Sequence, residues 1–128
     1  MRAKMLLTLT AIAFPGCDVP NFGPVSIANL RVGPGITPEY SWDGGNIDQL
    51  RVWRVNDATQ LTDSVVWSVR WNNDGFLESP IRHGNPPRNA RESVRVEPML
   101  TAGVTYEVWV RAPGLFEGSG LTKRFTPP

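Results

Sequence analysis

The sequence predicts an all-β fold: a sandwich of about seven short strands behind a separate N-terminal segment. Three observations predict it. Short apolar runs alternate with polar residues and recur at spacings near ten residues. Gly and Pro, 12 of each, fall between those runs, where turns need them. After the N-terminal segment no apolar stripe of 3.6-residue period extends beyond about ten residues, so no long helix is expected.

Each element follows from its own residues. "VSIANLRV" (25–32) alternates loosely and stops at "GPG". "PEYSW" (38–42) is short and runs into the turn signal "DGGN". "IDQLRVWRV" (47–55) places Leu50 and Val52 on one face and Arg51, Trp53 and Val55 on the other. "DSVVWSVRW" (63–71) places Val65, Trp67, Val69 and Trp71 on one face, and "NNDG" turns the chain. "SPIRHGNPP" (79–87) allows only a short edge strand before its prolines. "ESVRVEPML" (92–100) alternates up to "TAG". "VTYEVWV" (104–110) sets Val104, Tyr106, Val108 and Val110 against Trp109, and "LTKRFT" (121–126) closes the series. Trp42, Leu50, Val52, Leu100, Tyr106, Val108 and Val110 form the expected core. A large side chain buried there contributes about 1.5–3 kcal/mol.

At 128 residues the chain is one domain's worth. A 41% hydrophobic share and 20% charged residues exclude disorder as the overall state. The formal charge is +1, and Lys and Arg are scattered, without a run or stripe. A nucleic-acid partner is therefore not expected.

Residues 1–16 form a separate object. "MRAK" is basic, "MLLTLTAIAF" is ten residues without a charge, and "PGC" follows. This is the pattern of a secretory signal helix. It is too short to span a bilayer, which takes roughly 20 apolar residues. Cys17 is the chain's only cysteine, so an internal disulfide is impossible and the thiol needs another explanation. "FPGC" (14–17) resembles the lipobox of bacterial lipoproteins, with Gly16 as the small residue before the cysteine and Phe14 where the family usually has Leu. The resemblance implies cleavage before Cys17, a diacylglycerol on its sulfur, and attachment to a membrane of the cell envelope. Several acyl chains hold a protein where one would not, at about 0.8 kcal/mol per buried methylene. Removing Arg2 and Lys4 with the leader lowers the formal charge by two, so charge-driven binding to anionic lipid is not indicated. Residues 17–23 are then the lipidated cysteine and a tether of about 20 Å at full extension. Asp18 resembles the inner-membrane retention signal of enteric lipoproteins; without that signal the address is the outer membrane or the cell surface.

Residues 24–128 carry the sandwich, and two blocks make it more specific. "LTAGVTYEVWV" (100–110) has the form Leu-x-x-Gly-x-x-Tyr-x-Val-x-Val. It resembles the E–F corner and F strand of fibronectin type III domains. "YSWDGGNIDQLRVWRV" (40–55) resembles the B and C strands of the same family, with Trp42 as the core tryptophan. The resemblance implies a tyrosine corner, in which the Tyr106 hydroxyl bonds to backbone a few residues upstream. Leu100 and Gly103 shape that corner, and Ala102 stands where the family often has Pro. "VVWSVRW…SPIRHGNPP" more loosely resembles bacterial lipoproteins of unknown role that carry such a domain. No activity or cofactor is implied.

No catalytic constellation is found. The single histidine, His83, has no Cys or second His with which to hold a metal, and reads as a loop or edge-strand residue. No Gly-x-Ser-x-Gly elbow, phosphate-cradling glycine loop or zinc-binding helix motif occurs. Asp43, Asp48, Asp57 and Asp74 fall in turns, where capping explains them better than calcium. The candidate binding face is aromatic. In fibronectin-like topology strands C and F are neighbours, so Trp53 and Trp109 point outward together, flanked by Arg51 and Arg111 and near Glu107. Such a patch suits an envelope protein, a peptide or a glycan. The competing readings are that Trp71 or the hairpin around Trp67 covers this face, or that Trp–Arg packing only stabilises the sheet. The expected function is that of a non-catalytic, membrane-anchored interaction or structural module. The alternative is a small envelope enzyme or ligand carrier, with a site around His83 among the loops "GPGITP", "WNNDGF" and "RHGNPP".

Overall fold

The computed structural model describes residues 27–72, 76–114 and 120–128. The expected leader, Cys17 and the tether lie outside the described residues. Eight strands, one more than the seven expected, follow in chain order: β1 (Ala28–Val32), β2 (Glu39–Asp43), β3 (Gln49–Val55), β4 (Thr62–Trp71), β5 (Ile81–Arg82), β6 (Ala90–Arg95), β7 (Tyr106–Arg111) and β8 (Leu121–Phe125). All pairings between them are antiparallel. One sheet has the order β1-β2-β5 and the other β6-β4-β3-β7-β8. The two face each other as a β-sandwich, the fold class the sequence predicts.

The eighth is the short edge strand that "SPIRHGNPP" allows, and it forms as β5. "IRHGNPP" gives two residues, Ile81 and Arg82, to β2 before Gly84 and the prolines end the pairing. The chain then crosses to the other sheet, where β6 pairs with β4. The strand just before the corner therefore sits on the larger sheet, and the place beside β2 is held by the short β5.

The core lies between the sheets. From the smaller sheet come Leu30, Tyr40, Trp42 and Ile81; from the larger come Leu50, Val52, Val66, Trp67, Val69, Tyr106, Val108 and Val110. Leu100 closes one end and Ile47 and Leu77, joined by an isolated bridge, the other. All seven expected core residues are buried.

One phase assignment needs correction. Trp53 pairs with Val65 while Val52 pairs with Trp67, so Val66 is a bulged extra residue in β4. A bulge shifts the inward/outward alternation by one residue. Val66 joins Trp67 and Val69 in the core, and Val65 turns to the outer face beside Trp53.

The corner that the sequence marks is formed. The backbone N–H of Thr101 donates to the Tyr106 hydroxyl at 2.8 Å. That hydroxyl donates in turn to Glu97 Oε1, also at 2.8 Å. Gly103 has φ +84°, a conformation costly for residues with a Cβ, and its N–H donates to the Pro127 carbonyl.

Candidate functional site

Strands β3 and β7 are neighbours, with Arg51 opposite Trp109 and Trp53 opposite Glu107. Leu50, Val52, Val108 and Val110 fill the core, so alternation turns Arg51, Trp53, Glu107, Trp109 and Arg111 to the outer face. The sequence brings these residues together as expected. The two indoles meet edge to face, with centroids 6.3 Å apart. The Arg51 guanidinium lies over both, 5.6 Å from the Trp53 ring and 5.5 Å from the Trp109 ring. Arg111 stands 5.9 Å from the Trp109 ring and grips Asp48 with two nitrogens, at 3.0 and 3.2 Å. Arg124 on β8 pairs with Glu107 at 2.8 Å.

The expectation that both tryptophans are exposed is corrected for one of them. Trp109 is only 5% exposed, although it lies outside the main core cluster. Guanidinium groups from Arg51 and Arg111 and the Trp53 ring pack on it. Trp53 and Arg51, on the middle strand β3, keep partial exposure. Neither Trp67 nor Trp71 covers this face. Trp67 is fully buried in the core, and Trp71 packs on the core and on Phe76 at 5.0 Å. Cation–π contacts of this kind contribute about 0.5–1 kcal/mol near a surface and more when desolvated. They also hold Arg51 and Trp53 in fixed positions.

His83 sits in the turn directly after the edge strand β5, as expected, but its side chain points into the interior. It is 1% exposed. Its Nδ1 lies 2.8 Å from the Tyr40 hydroxyl and its Nε2 lies 2.7 Å from the Glu97 carbonyl. A carbonyl only accepts, so Nε2 carries the proton and Nδ1 accepts from Tyr40. The ring also packs on Trp67, with centroids 4.8 Å apart. Gly84 makes this possible. It has φ +80°, and a Cβ there would run into the Pro98 carbonyl. The close approach brings Glu97 onto the imidazole. Glu97 then extends the chain of bonds to Tyr106, and to Arg54 at 2.6 Å. The network ties β2 and the β5 end to β3, β7 and the corner.

The electrostatics match that structure. Burial lowers the His83 pKa below its ordinary value, against the pull of the Glu97 carbonyl. Burial also raises Tyr40 well above the ordinary phenol, with the neighbouring Tyr106 adding to it. Burial alone would raise Glu97; its hydrogen bonds from Arg54 and Tyr106 outweigh that and hold it below the usual carboxylate range. His83 is thus a neutral interior clasp. Sequence reasoning missed its partners Tyr40 and Glu97, which lie 43 and 14 positions away, too far for a local pattern to show.

The loops weighed for a small-molecule site are dispersed. "GPGITP" joins β1 to β2 at the corner end, where Leu100 N–H donates to the Ile36 carbonyl. "WNNDGF" follows β4 at the other end, and 73–75 lie outside the described residues. A cavity of about 440 Å³ opens beside Phe76, Glu78, Ser79, Pro80, Pro87 and Asn89; it does not reach His83. Of the turn aspartates, Asp43 pairs with Arg31 and Asp48 with Arg111. Asp57 stands exposed beside Asn56, whose side chain caps the β3–β4 turn, and Asp74 lies outside the described residues. In comparisons with known proteins, no family model matches this chain, and no curated protein or solved structure matches it either.

Proposed function

We propose that this chain is a non-catalytic interaction module of a bacterial envelope, held on a membrane by acyl chains on Cys17. In this reading the module presents the outer face of its five-stranded sheet to a partner. One observation carries it: Arg51 is pinned between Trp53 and Trp109 on a face that contributes nothing to the main core. Aromatic–arginine clusters with fixed geometry concentrate binding energy, because little side-chain freedom remains to be lost on contact. The fibronectin-like corner and strand pattern support the same role, since such sandwiches display faces and end loops on a rigid frame. The lipobox-like "FPGC" supports the anchor.

The test is capture of partners from an envelope extract by the full chain and by Trp53→Ala. Trp53 is the appropriate residue because it is partly exposed, whereas truncating the buried Trp109 would also disturb the sheet. The reading expects Trp53→Ala to stay folded and to lose a captured partner. Unchanged capture by a folded Trp53→Ala contradicts it.

A further inference from the structure

The same outer face holds arginines that no carboxylate balances. Register places Arg91 (β6), Arg70 (β4), Gln49 (β3) and Arg111 (β7) in one row across four strands. Arg111 is tied to Asp48. Arg70 and Arg91 are exposed, stand directly opposite each other, and make no ion pair among the described residues. Like charges directly opposite across a ladder destabilise a sheet. Among the described residues Arg31, Arg54, Arg82, Arg95, Arg111 and Arg124 each reach a carboxylate; Arg70 and Arg91, like Arg51 and Arg88, do not, and they alone of these face each other across a ladder. In the adjacent row Arg51 lies over indoles rather than against an acid. Beside it is Ser68, 1% exposed, whose hydroxyl is the one buried side-chain polar atom without a hydrogen-bond partner among the described residues. Positive charge and hydrogen-bonding capacity exceed their acceptors here.

We propose that Arg70 and Arg91 bind a phosphomonoester carried by a sugar, with Trp53 stacking on another ring of the same glycan. This deepens the reading above and rests on it. The charge argues for a phosphomonoester. Two unpaired guanidiniums match a group of about −1.5 to −2, while a carboxylate or sulfate ester, with one negative charge, leaves one of them unbalanced. The geometry agrees, because three acceptor oxygens can take the forked donors of two arginines at once. The sugar is argued from Trp53. An indole on the same face offers apolar area to a pyranose ring. It lies four residues along the strand from the Arg70–Gln49 row, about 13 Å, which suits an oligosaccharide rather than a single sugar.

The experiment is an NMR titration of the full chain with glucose 6-phosphate, alongside glucose, acetate, inorganic phosphate, a phosphoserine peptide and phosphatidic acid vesicles. Glucose 6-phosphate is expected to move the Arg70 and Arg91 side-chain signals, and glucose and acetate are not. Arg70→Gln/Arg91→Gln is expected to weaken that binding at least about tenfold, as loss of charge-assisted hydrogen bonds does. The unliganded double variant should melt no lower than the parent, because a like-charge pair has been removed. Unmoved Arg70 and Arg91 signals up to about 10 mM glucose 6-phosphate, or an equal response to acetate, overturn the phosphate site. Binding of inorganic phosphate, the peptide or the vesicles as tight as that of the phosphosugar, or tighter, overturns the glycan assignment. If envelope capture is lost with Trp53→Ala and kept with Arg70→Gln/Arg91→Gln, the phosphate site fails and the module reading stands. Loss with neither variant overturns both.

Discussion

Tyr106 shows how one hydroxyl can serve two purposes. It accepts from Thr101 N–H and donates to Glu97, so both partners lose a bond in Tyr106→Phe. That variant is expected to be less stable by about 1–3 kcal/mol, measured as a lowered urea midpoint with unchanged slope. His83 makes a different prediction. Its folded-state pKa lies below the unfolded value, so the unfolded chain takes up the proton first as pH falls. Stability should be flat above pH about 6.5 and decline below it. His83→Gln, which cannot titrate there, should remove the part of the decline that sets in just below pH about 6.5; urea midpoints measured on either side of that pH test this. At lower pH a further loss belongs to Glu97, whose folded value is depressed by Arg54 and Tyr106. The Tyr106 bond was legible in the sequence because the corner is a local pattern, six residues from Leu100. The His83 bonds were not, because Tyr40 and His83 are 43 positions apart, and no local spacing reports such a pair.

At the scale of elements, two glycines separate backbone freedom from close approach. Gly103 has a positive φ but open space where a Cβ would stand. Gly103→Ala should cost about 1 kcal/mol, the usual penalty for a side chain in that region. Gly84 has both a positive φ and the Pro98 carbonyl in the way. Gly84→Ala should therefore be clearly the more damaging of the two, with His83 losing its protection from solvent; thermal melts of the pair give the order. The strands themselves were largely legible from alternation. The bulge at Val65 and Val66 was not, since two adjacent valines fit either phase and only pairing with β3 decides between them. The candidate face was legible in membership and not in exposure. Alternation places Trp109 outward but does not report how closely Arg51, Arg111 and Trp53 pack on it. Trp109→Ala should accordingly cost about 3–5 kcal/mol, and Trp53→Ala much less.

The whole molecule has a direction. β1 begins at Ala28, opposite Asp43, while the β1–β2 loop, the β3–β4 turn and the corner gather at the opposite end. That far end carries the exposed apolar residues Ile36, Leu61, Val96 and Met99. If Cys17 carries the proposed lipid, the far end is expected to face away from the membrane. A spin label on Leu61→Cys should then be quenched by aqueous reagents and not by lipid-soluble ones, with a label on Asn46→Cys lying nearer the bilayer. The account of place and role depends on the sulfur of residue 17. Intact-mass analysis of the protein recovered from its native envelope is the most direct measurement. The account predicts a chain that starts at Cys17 with the mass of a diacylglyceryl group added; recovery with Met1 retained and an unmodified thiol would contradict it.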